Sequence, residues 1–344
     1  MINACSPDRL DAWNQFVLEH ENGTIHHLAQ WASIFDDTFN FPSFSVMFED
    51  TGNHIQGILP LFEMCDIVRR RVLISSPFCN YSGVLAGNPS AESALIKHAS
   101  DVSKQRKSEY VELRQFFDLT SPIHHRKKSF VVLKLDLSMG QEALWGNLAS
   151  RNRGKIRKAA NNGIKFRNGL QYLDDFYDLF VKNMHRLGTP AYPKKFFLSI
   201  CNYLHEFIDL VVLEKQGHVI AGMFLFKFKD VVTEPWVASI NDPDLKYINN
   251  LLYWQAICYA CDQGFKYFDF GRSTVGSGTY RFKLHWRAKP HQLYYVYMLN
   301  RAKAVPVVDA DENKYEILIQ LWKKLPAFVV NRLGPWVVKY LPEL

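Results

Sequence analysis

The sequence predicts an α/β (α+β) protein with mixed sheets, divided into two similar lobes. A chain of 344 residues has room for two domains that each bury a core. Its 48% hydrophobic and 22% charged residues are typical of a globular protein. The halves also resemble each other: the segments 52–57 and 110–114 match 217–222 and 267–272 at a similar separation. We therefore expect a duplicated unit of hairpin, strand, helix and strand.

In the first half, apolar residues at helical spacing predict two helices, and a turn signal at residues 50–53 predicts a hairpin. A further helix and a short strand follow. The predicted elements are helices over 7–20, 30–35 and 90–107, and strands over 44–48, 54–62 and 110–114.

The second half repeats this order after a basic helix over 138–160, which Ser138 and Gln141 would open as a capping box. The predicted elements are helices over 174–187 and 251–263, and strands over 210–214, 218–228, 235–240 and 267–270. We divide the chain into a first lobe at 1–137, a second lobe at 138–300 and a C-terminal segment at 301–344. We expect that segment to pack back on the first lobe.

Charge and cysteine content limit the functional class. The net charge of +7 permits an anionic partner but is modest for a dedicated nucleic-acid-binding protein. Six scattered cysteines form no disulfide framework and predict a reducing, cytoplasmic location. We expect no transmembrane segment. The tail, with Trp322, Phe328 and Trp336 among lysines and arginines, leaves a peripheral membrane contact open.

The chain has no acidic residue between Ala143 and Leu173, a window that covers most of the basic helix and the residues after it. Arg151, Arg153 and Arg157 lie at the junction of the lobes, and we expect them to line the cleft and bind an anion. An ordinary solvated face fits the same pattern equally well.

The most informative segment runs from Phe268 to Lys283. A predicted strand carries Asp269 and ends near Arg272, and a glycine-rich loop follows. Backbone N–H groups at Gly276 and Gly278 are suited to an oxyanion or a phosphate. The segment matches neither a Walker loop nor a dinucleotide fingerprint.

We predict no metal site. Cys258 and Cys261 have the spacing Cys-x-x-Cys, but they fall within a predicted helix among apolar neighbours and lack a second pair of ligands. We expect them to pack in the core.

Several short motifs are distributed along the chain. They are Ser75-Ser76-Pro77-Phe78, Tyr81-Ser82-Gly83-Val84, Arg186-Leu187-Gly188-Thr189-Pro190, Asp269-Phe270-Gly271-Arg272-Ser273, Gly278-Thr279-Tyr280-Arg281-Phe282-Lys283, Trp322-Lys323-Lys324-Leu325-Pro326 and Leu333-Gly334-Pro335. Together these motifs resemble the FemAB-like family, transferases that build peptidoglycan cross-bridges. The similarity extends nearly end to end, and its closest branch is associated with exosortase/PEP-CTERM and exopolysaccharide systems.

The resemblance implies two domains of the acetyltransferase-like (GNAT) fold and transfer to an amine without a metal. It also places Lys283, which follows Phe282, at the transfer centre. Two departures matter: Phe35 and Tyr192 stand where bridge-forming members hold a diphosphate with basic residues, and the coiled-coil arm of some members is missing. They weaken the expectation of a peptidoglycan precursor as acceptor and of aminoacyl-tRNA as donor.

Our working mechanism is attack by an acceptor amine on a thioester or ester carbonyl. Lys283, at the rim of the cleft, and the glycine loop would stabilise the oxyanion. Asp269 would orient Arg272 or move a proton, while Arg272, Tyr280 and Tyr81 would contact substrate.

No cofactor would be bound tightly, because the donor is a co-substrate, either aminoacyl-tRNA or acyl-CoA or an acyl carrier. The acceptor would be an anionic small molecule or a lipid-linked precursor. An acyl-CoA-dependent N-acyltransferase of a small molecule and a non-catalytic binder of anionic polysaccharide precursor remain alternatives.

Overall fold

The computed structural model describes residues 1–121, 125–306 and 313–342. Its strands are β1 (Ile2–Ala4), β2 (Val46–Glu49), β3 (Ile55–Leu59), β4 (Phe62–Cys65), β5 (Arg71–Ile74), β6 (Leu85–Ala86), β7 (Tyr110–Gln115), β8 (His125–Lys127), β9 (Phe130–Asp136), β10 (Lys165–Asn168), β11 (Ile208–Lys215), β12 (His218–Phe228), β13 (Val231–Thr233), β14 (Val237–Ser239), β15 (Tyr267–Thr274), β16 (Lys289–Gln292) and β17 (Tyr294–Leu299).

The helices surround these strands. They are α1 (Leu10–Glu19), α2 (Gln30–Phe39), α3 (Pro89–Arg106), α4 (Gly140–Asn147), α5 (Ser150–Ala160), α6 (Leu173–Leu187), α7 (Lys194–Tyr203), α8 (Ile248–Asp262), α9 (Gly278–Leu284), α10 (Asn313–Lys324) and α11 (Ala327–Val337). Short 3-10 turns occur at Pro7–Arg9, Ile25–His27, Leu170–Tyr172, His205–Phe207, Pro243–Leu245 and Val338–Tyr340.

The predicted α/β class is confirmed. Each half contains a pair of parallel strands with a helix between them in the chain. In the first half β5 runs parallel to β7, and α3 connects the two. In the second half β13 runs parallel to β15, and α8 connects them. The remaining pairs within the described residues are antiparallel, so the sheets are mixed, as expected.

The sheets exchange strands across the boundaries that the sequence suggested. Strand β9 precedes residue 137, yet it pairs with β15 and β16 in the eight-stranded sheet of the second half. Strand β17 precedes residue 300, yet it pairs with β7 in the five-stranded sheet of the first half. A third sheet has the order β1-β2-β3-β6. The strand pairing thus does not follow the boundaries at 137 and 300. The division of the chain into lobes at these residues stays a prediction.

The segment predicted as one basic helix forms two helices. Leu148 and Ala149 are extended between α4 and α5, and the Leu148 side chain is buried. The capping box does not form, because the Ser138 hydroxyl donates to Asp136 Oδ1 at 2.6 Å. Gln141 Nε2 donates instead to the carbonyl of Cys258 on α8 at 3.2 Å. The prediction of a continuous capped helix was therefore wrong.

A core rich in aromatic residues joins the lobes. Phe35 from α2 lies 6.5 Å from Phe196 of α7, and Phe78 lies 5.1 Å from Tyr192 in ring centroids. Each aromatic pair contributes about 0.5–1.5 kcal/mol beyond its buried area. Part of the aromatic share of 14% is thus accounted for by packing between the lobes.

The C-terminal segment contacts both lobes. Helices α10 and α11 pack on α6 of the second half, and the turn Val338–Tyr340 packs against β4 of the first. Gly334 of α11 approaches closely, since an added Cβ would lie 3.2 Å from the backbone nitrogen of Ala191. Arg114 Nη2 of β7 donates to the carbonyl of Pro342 at 2.7 Å.

Candidate active site

The candidate site lies where two neighbouring strands of the large sheet diverge. Strand β13 pairs with β15 as far as Thr233 opposite Asp269, and the Glu234 amide still donates to the Asp269 carbonyl at 2.9 Å. Pro235 has no N–H with which to continue the ladder. Strand β14 then pairs with β12. A gap therefore opens beside β15 just after Asp269.

Strand β15 bulges at this gap. Its pairing with β9 shifts register between Asp269 and Arg272, and Gly271 between them has a φ of +69°. A side chain there would be strained by that φ, and an added Cβ would lie 3.0 Å from the carbonyl oxygen of Glu234. Glycine at this position therefore allows the bulge, with Asp269 and Arg272 on either side of it.

Asp269 is fully buried, and both its carboxylate oxygens have partners. Oδ1 accepts from the Gly271 amide at 2.8 Å, and Oδ2 accepts from the Tyr81 hydroxyl of the first lobe at 2.7 Å. Burial, together with the charge of Asp269, raises the pKa of Tyr81 well above its usual value. Tyr81 stays a neutral donor, and this bond joins the lobes.

Lys283 is buried, whereas we had expected it at the rim of a cleft. Only 7% of the residue is exposed, and Nζ donates to the carbonyls of Gly271 and Arg272 at 3.1 Å each. Burial lowers its pKa, and the nearby charges of Glu234 and Asp269 oppose that shift. An ammonium group has three N–H donors. Two of these N–H groups donate to the carbonyls of Gly271 and Arg272, so the third remains for a ligand.

Glu234 is a site residue that the sequence analysis missed. Its carboxylate is buried, and Oε2 accepts from the Tyr253 hydroxyl at 3.0 Å. Burial raises its pKa to about 7, partly offset by the charge of Lys283. A carboxylate poised near neutral pH is suited to general-base chemistry. The available signal was a carboxylate directly before Pro235, where a proline interrupts a strand.

Two pockets flank the gap. The first, here called the outer pocket, has a volume of about 320 Å³, and its lining includes Lys283, Tyr253 and Gly278. The second, the inter-lobe pocket, has a volume of about 250 Å³, and Arg272 and Tyr192 are among its lining residues. Helix α6 contributes Met184 to the inter-lobe pocket and Arg186 to the outer pocket, so the two pockets lie close together.

Arg272 and Asp269 have different partners, although we had expected Asp269 to orient Arg272. Arg272 Nη1 donates to the Tyr295 hydroxyl at 3.1 Å, and its guanidinium carbon lies 4.7 Å from the ring centroid of Phe130. Tyr295 itself donates to the Asn80 carbonyl at 2.7 Å. The guanidinium is thereby held by strands of both sheets beside the inter-lobe pocket.

The glycine-rich loop is exposed and leads into the short helix α9. Gly276 has a φ of +80°, and Ser277 caps the helix by accepting from the Tyr280 amide at 3.1 Å. Gly278 lines the outer pocket, whereas Tyr280 packs against the core of the second half. The loop thus positions the helix that carries Lys283.

The three basic residues of α5 have separate environments. Arg153 Nη1 donates to the carbonyls of Gly146 at 2.9 Å and Leu148 at 2.5 Å, which satisfies the end of α4. Arg151 is exposed, and Arg157 lies over the ring of Trp145 at 5.5 Å. The helix packs on α8. Binding of an anion by this helix stays a prediction.

No group of histidine, cysteine or acidic side chains in the described part of the chain is arranged to hold a metal ion. Burial raises the pKa of Cys258 to about 12, so this thiol stays protonated. Among the described helices, none is both long enough and apolar enough to span a bilayer.

Comparisons with known proteins agree with this architecture. The family model described as an acetyltransferase (GNAT) domain matches residues 147–284, the stretch from α4 to Lys283. No curated protein sequence matches the chain.

Three solved structures are similar over most of the chain. FemX is 15% identical, covers 94% of this chain and 100% of its own, and has a TM-score of 0.68. A tandem GNAT protein from the clavulanic acid biosynthesis pathway is 8% identical, covers 89% and 99%, and has a TM-score of 0.57. The C-terminal domain of a putative lysylphosphatidylglycerol synthetase from Agrobacterium fabrum is 13% identical, covers 85% and 92%, and also has a TM-score of 0.57.

These similarities confirm the tandem arrangement of GNAT-like domains and, at the level of the fold, the resemblance to the FemAB-like family. They do not distinguish its branches. The protein is a transferase with the fold of FemX, and its second lobe carries an acetyltransferase (GNAT) domain.

Proposed function

We propose that this protein transfers an activated acyl or aminoacyl group to an amine of an acceptor from the cell envelope or from exopolysaccharide synthesis. The observation that carries the proposal is the pair of buried, oppositely charged groups at the strand gap, Glu234 and Lys283, each of which shifts the pKa of the other. One is a carboxylate with a pKa near neutrality, and the other is a cation that lines an open pocket.

The two groups divide the chemistry between them. The acceptor nitrogen attacks the carbonyl carbon of the donor, and the free N–H of Lys283 donates to the oxyanion that forms. Glu234 accepts the proton that the amine loses. Collapse of the tetrahedral intermediate breaks the C–S or C–O bond. The proton that Glu234 took from the amine passes to the leaving sulfur or oxygen, so the donor leaves as a thiol or an alcohol and Glu234 returns to its carboxylate form. Asp269 acts as a positioning residue, because it holds Tyr81 and the bulge.

Two donors fit this chemistry. Acyl-CoA or an acyl carrier supplies a thioester, and aminoacyl-tRNA supplies an ester. The similar structures support keeping both donors. The tandem GNAT protein is described with reference to AcCoA, and the putative synthetase is named for an aminoacylated lipid. The outer pocket would receive the acyl end of either donor.

The inter-lobe pocket favours an anionic acceptor that also carries apolar or ring-shaped surface. Arg272 supplies the positive charge, while Phe78, Tyr192 and Trp236 supply aromatic faces. Tyr192 stands where related transferases place a basic residue, so the pocket is poorer in charge than a diphosphate site requires. A monoanionic or lipid-linked acceptor suits it better than a peptidoglycan nucleotide precursor.

The test offers the purified protein labelled acyl-CoA or labelled aminoacyl-tRNA separately, each with a panel of amino sugars and lipid-linked amines. We expect transfer of label from one donor class. Glu234→Gln should lower the rate of that transfer by about a hundredfold or more, whereas the exposed surface change Lys289→Met should leave it unchanged. If neither donor binds or reacts while anionic polysaccharide does bind, the protein is a non-catalytic binder.

A further inference from the structure

A surface built from two distant segments carries apolar side chains that nothing in the described chain covers. The turn between β4 and β5 exposes Ile67 at 68% and Val68 at 63%. Helix α11 exposes Phe328 at 76% and Trp336 at 55%. Residues this apolar are seldom so exposed together unless they serve a contact. These four residues, with Arg69, Arg332 and Lys339, are here called the tail surface.

The two segments are held side by side. Arg69 Nη1 donates to the Tyr340 hydroxyl at 2.6 Å, and its guanidinium carbon lies 4.4 Å from the centroid of that ring. The ring of Tyr340 in turn lies 5.3 Å from that of Trp336. The turn and the helix therefore form one continuous surface.

Helix α11 cannot rotate to bury its exposed residues. Val330 and Gly334, four residues apart, are buried on its inner face, where α11 packs on α6. Phe328, Arg332 and Trp336 are also spaced by four, so they share the opposite face. The close approach of Gly334 to Ala191 fixes which face points inward.

The charge around the tail surface is positive. Arg69, Arg332 and Lys339 lie among the apolar residues, and Lys323 and Lys324 end the neighbouring helix α10. Asp66, the acidic residue of the turn, is already paired with Arg70 at 2.7 Å. The tail surface thus combines exposed aromatic and aliphatic side chains with cations that form no salt bridge to an acidic side chain of the described residues.

This combination selects one kind of partner. The cores of protein–protein interfaces are depleted in lysine, which this surface carries at Lys339 beside Lys323 and Lys324, whereas segments that lie in a membrane interface mix tryptophan and phenylalanine with lysine and arginine. We propose that the tail surface docks the protein on a lipid bilayer with anionic headgroups. The apolar side chains would enter the headgroup boundary, and the cations would contact the lipid phosphates.

This orientation brings the active site close to the bilayer. Helix α6 separates the tail helices from the two pockets, and it lines both of them through Met184 and Arg186. In this orientation α11 and α6 both lie between the bilayer and the pockets, so an acceptor held in the membrane would have to pass these two helices. The docking surface does not depend on the identity of the donor.

The experiment measures sedimentation of the full chain with phosphatidylcholine vesicles. One set of vesicles contains about 30% of the anionic lipid phosphatidylglycerol, and the other set contains none. We expect binding to the anionic vesicles and loss of binding as salt is raised. Phe328→Ser with Trp336→Ser should weaken binding about tenfold or more, because both apolar anchors are lost. Arg332→Glu should weaken binding to the anionic vesicles alone.

Matched controls come from other surfaces. Leu18→Ser and Leu198→Ser change apolar residues of comparable exposure, 44% and 48%, on α1 and α7, and should not alter vesicle binding. All variants should keep their melting temperature, since they change exposed side chains. The proposal is overturned if the double variant sediments like the unmodified protein. It is also overturned if the protein is a dimer in solution that the double variant converts to a monomer, because the surface would then be a self-interface.

Discussion

The hydroxyl of Tyr81 donates to Asp269 Oδ2 across the junction of the lobes, at 2.7 Å and in a fully buried setting. These two residues lie 188 positions apart in the sequence. Because Asp269 also fixes the Gly271 amide, the bond links the first lobe directly to the bulge that carries Arg272 and presents carbonyls to Lys283. The shape of the active site thus depends on a contact outside the second half.

Tyr81→Phe should destabilise the protein by about 1–3 kcal/mol, since a buried carboxylate oxygen would lose its donor. Tyr203→Phe is the matched control, because Tyr203 donates to Asp37 Oδ2 at 2.8 Å on the exposed surface. Its loss should change stability by less than about 0.5 kcal/mol. Urea denaturation of both variants measures the difference, and equal effects would contradict a special role for the buried bond.

Glu234→Gln should lower the rate of transfer by about a hundredfold or more, as expected when a general base is removed. The deprotonated carboxylate is the active form, so the rate of the unmodified protein should rise as the pH rises through about 7. That rise should be missing from the residual activity of the variant. An unchanged pH profile in the variant would assign the titration to another group.

Lys283→Met should abolish transfer and also lower stability. The change leaves two carbonyls without their donor and removes the cation between Glu234 and Asp269. Breaking a buried charge pair costs about 3–5 kcal/mol. Thermal melting beside a turnover assay separates the two effects, and normal melting would show that Lys283 contributes nothing to the fold.

Substitutions of Arg151 and Arg153 on α5 should have different effects on stability and on substrate binding. Arg153→Ala should lower the melting temperature, because the carbonyls at the end of α4 lose their donor. Arg151→Ala should leave melting unchanged and weaken binding of an anionic substrate. If Arg151→Ala binds substrate normally in a titration, the predicted anion-binding role of this helix is wrong.

His26 offers a test of stability against pH. Both its ring nitrogens are buried with no hydrogen-bond partner in the part of the chain that the structure describes, and burial lowers its pKa to about 3. Because the unfolded histidine binds a proton at higher pH than the folded one, stability should fall as the pH drops from about 6.5 towards 3. His26→Phe should flatten that slope and raise stability at pH 7 by about 1 kcal/mol. A slope as steep as that of the unmodified protein would place the titration elsewhere.

Local patterns in the sequence predicted much of the fold. The hairpin of β11 and β12, helices α3 and α8, and the end of α6 at Gly188 all appear where residue spacing and turn chemistry placed them. Each depends on neighbours in sequence, so local rules suffice. The exchange of β9 and β17 depends on partners far away in the chain, which no local pattern specifies.

The candidate site could be predicted only in part. The sequence singled out Asp269, Arg272 and Lys283 because they lie in one charged, glycine-containing segment. It missed Glu234 because a carboxylate before a proline resembles an ordinary loop until the gap between β14 and β15 is seen. It also placed Lys283 at a surface, since burial of a lysine depends on the carbonyls of the bulge.

The strand exchange limits how the active site can move. The five-stranded and eight-stranded sheets are joined twice by short links in the chain: the two residues between β8 and β9, and the single residue Leu293 between β16 and β17. Links of one or two residues are too short to act as hinges. The lobes therefore cannot move apart as rigid bodies without breaking hydrogen bonds in a sheet. Substrate entry must then rely on side chains and loops, and neither half of the gene would yield a folded product when expressed alone.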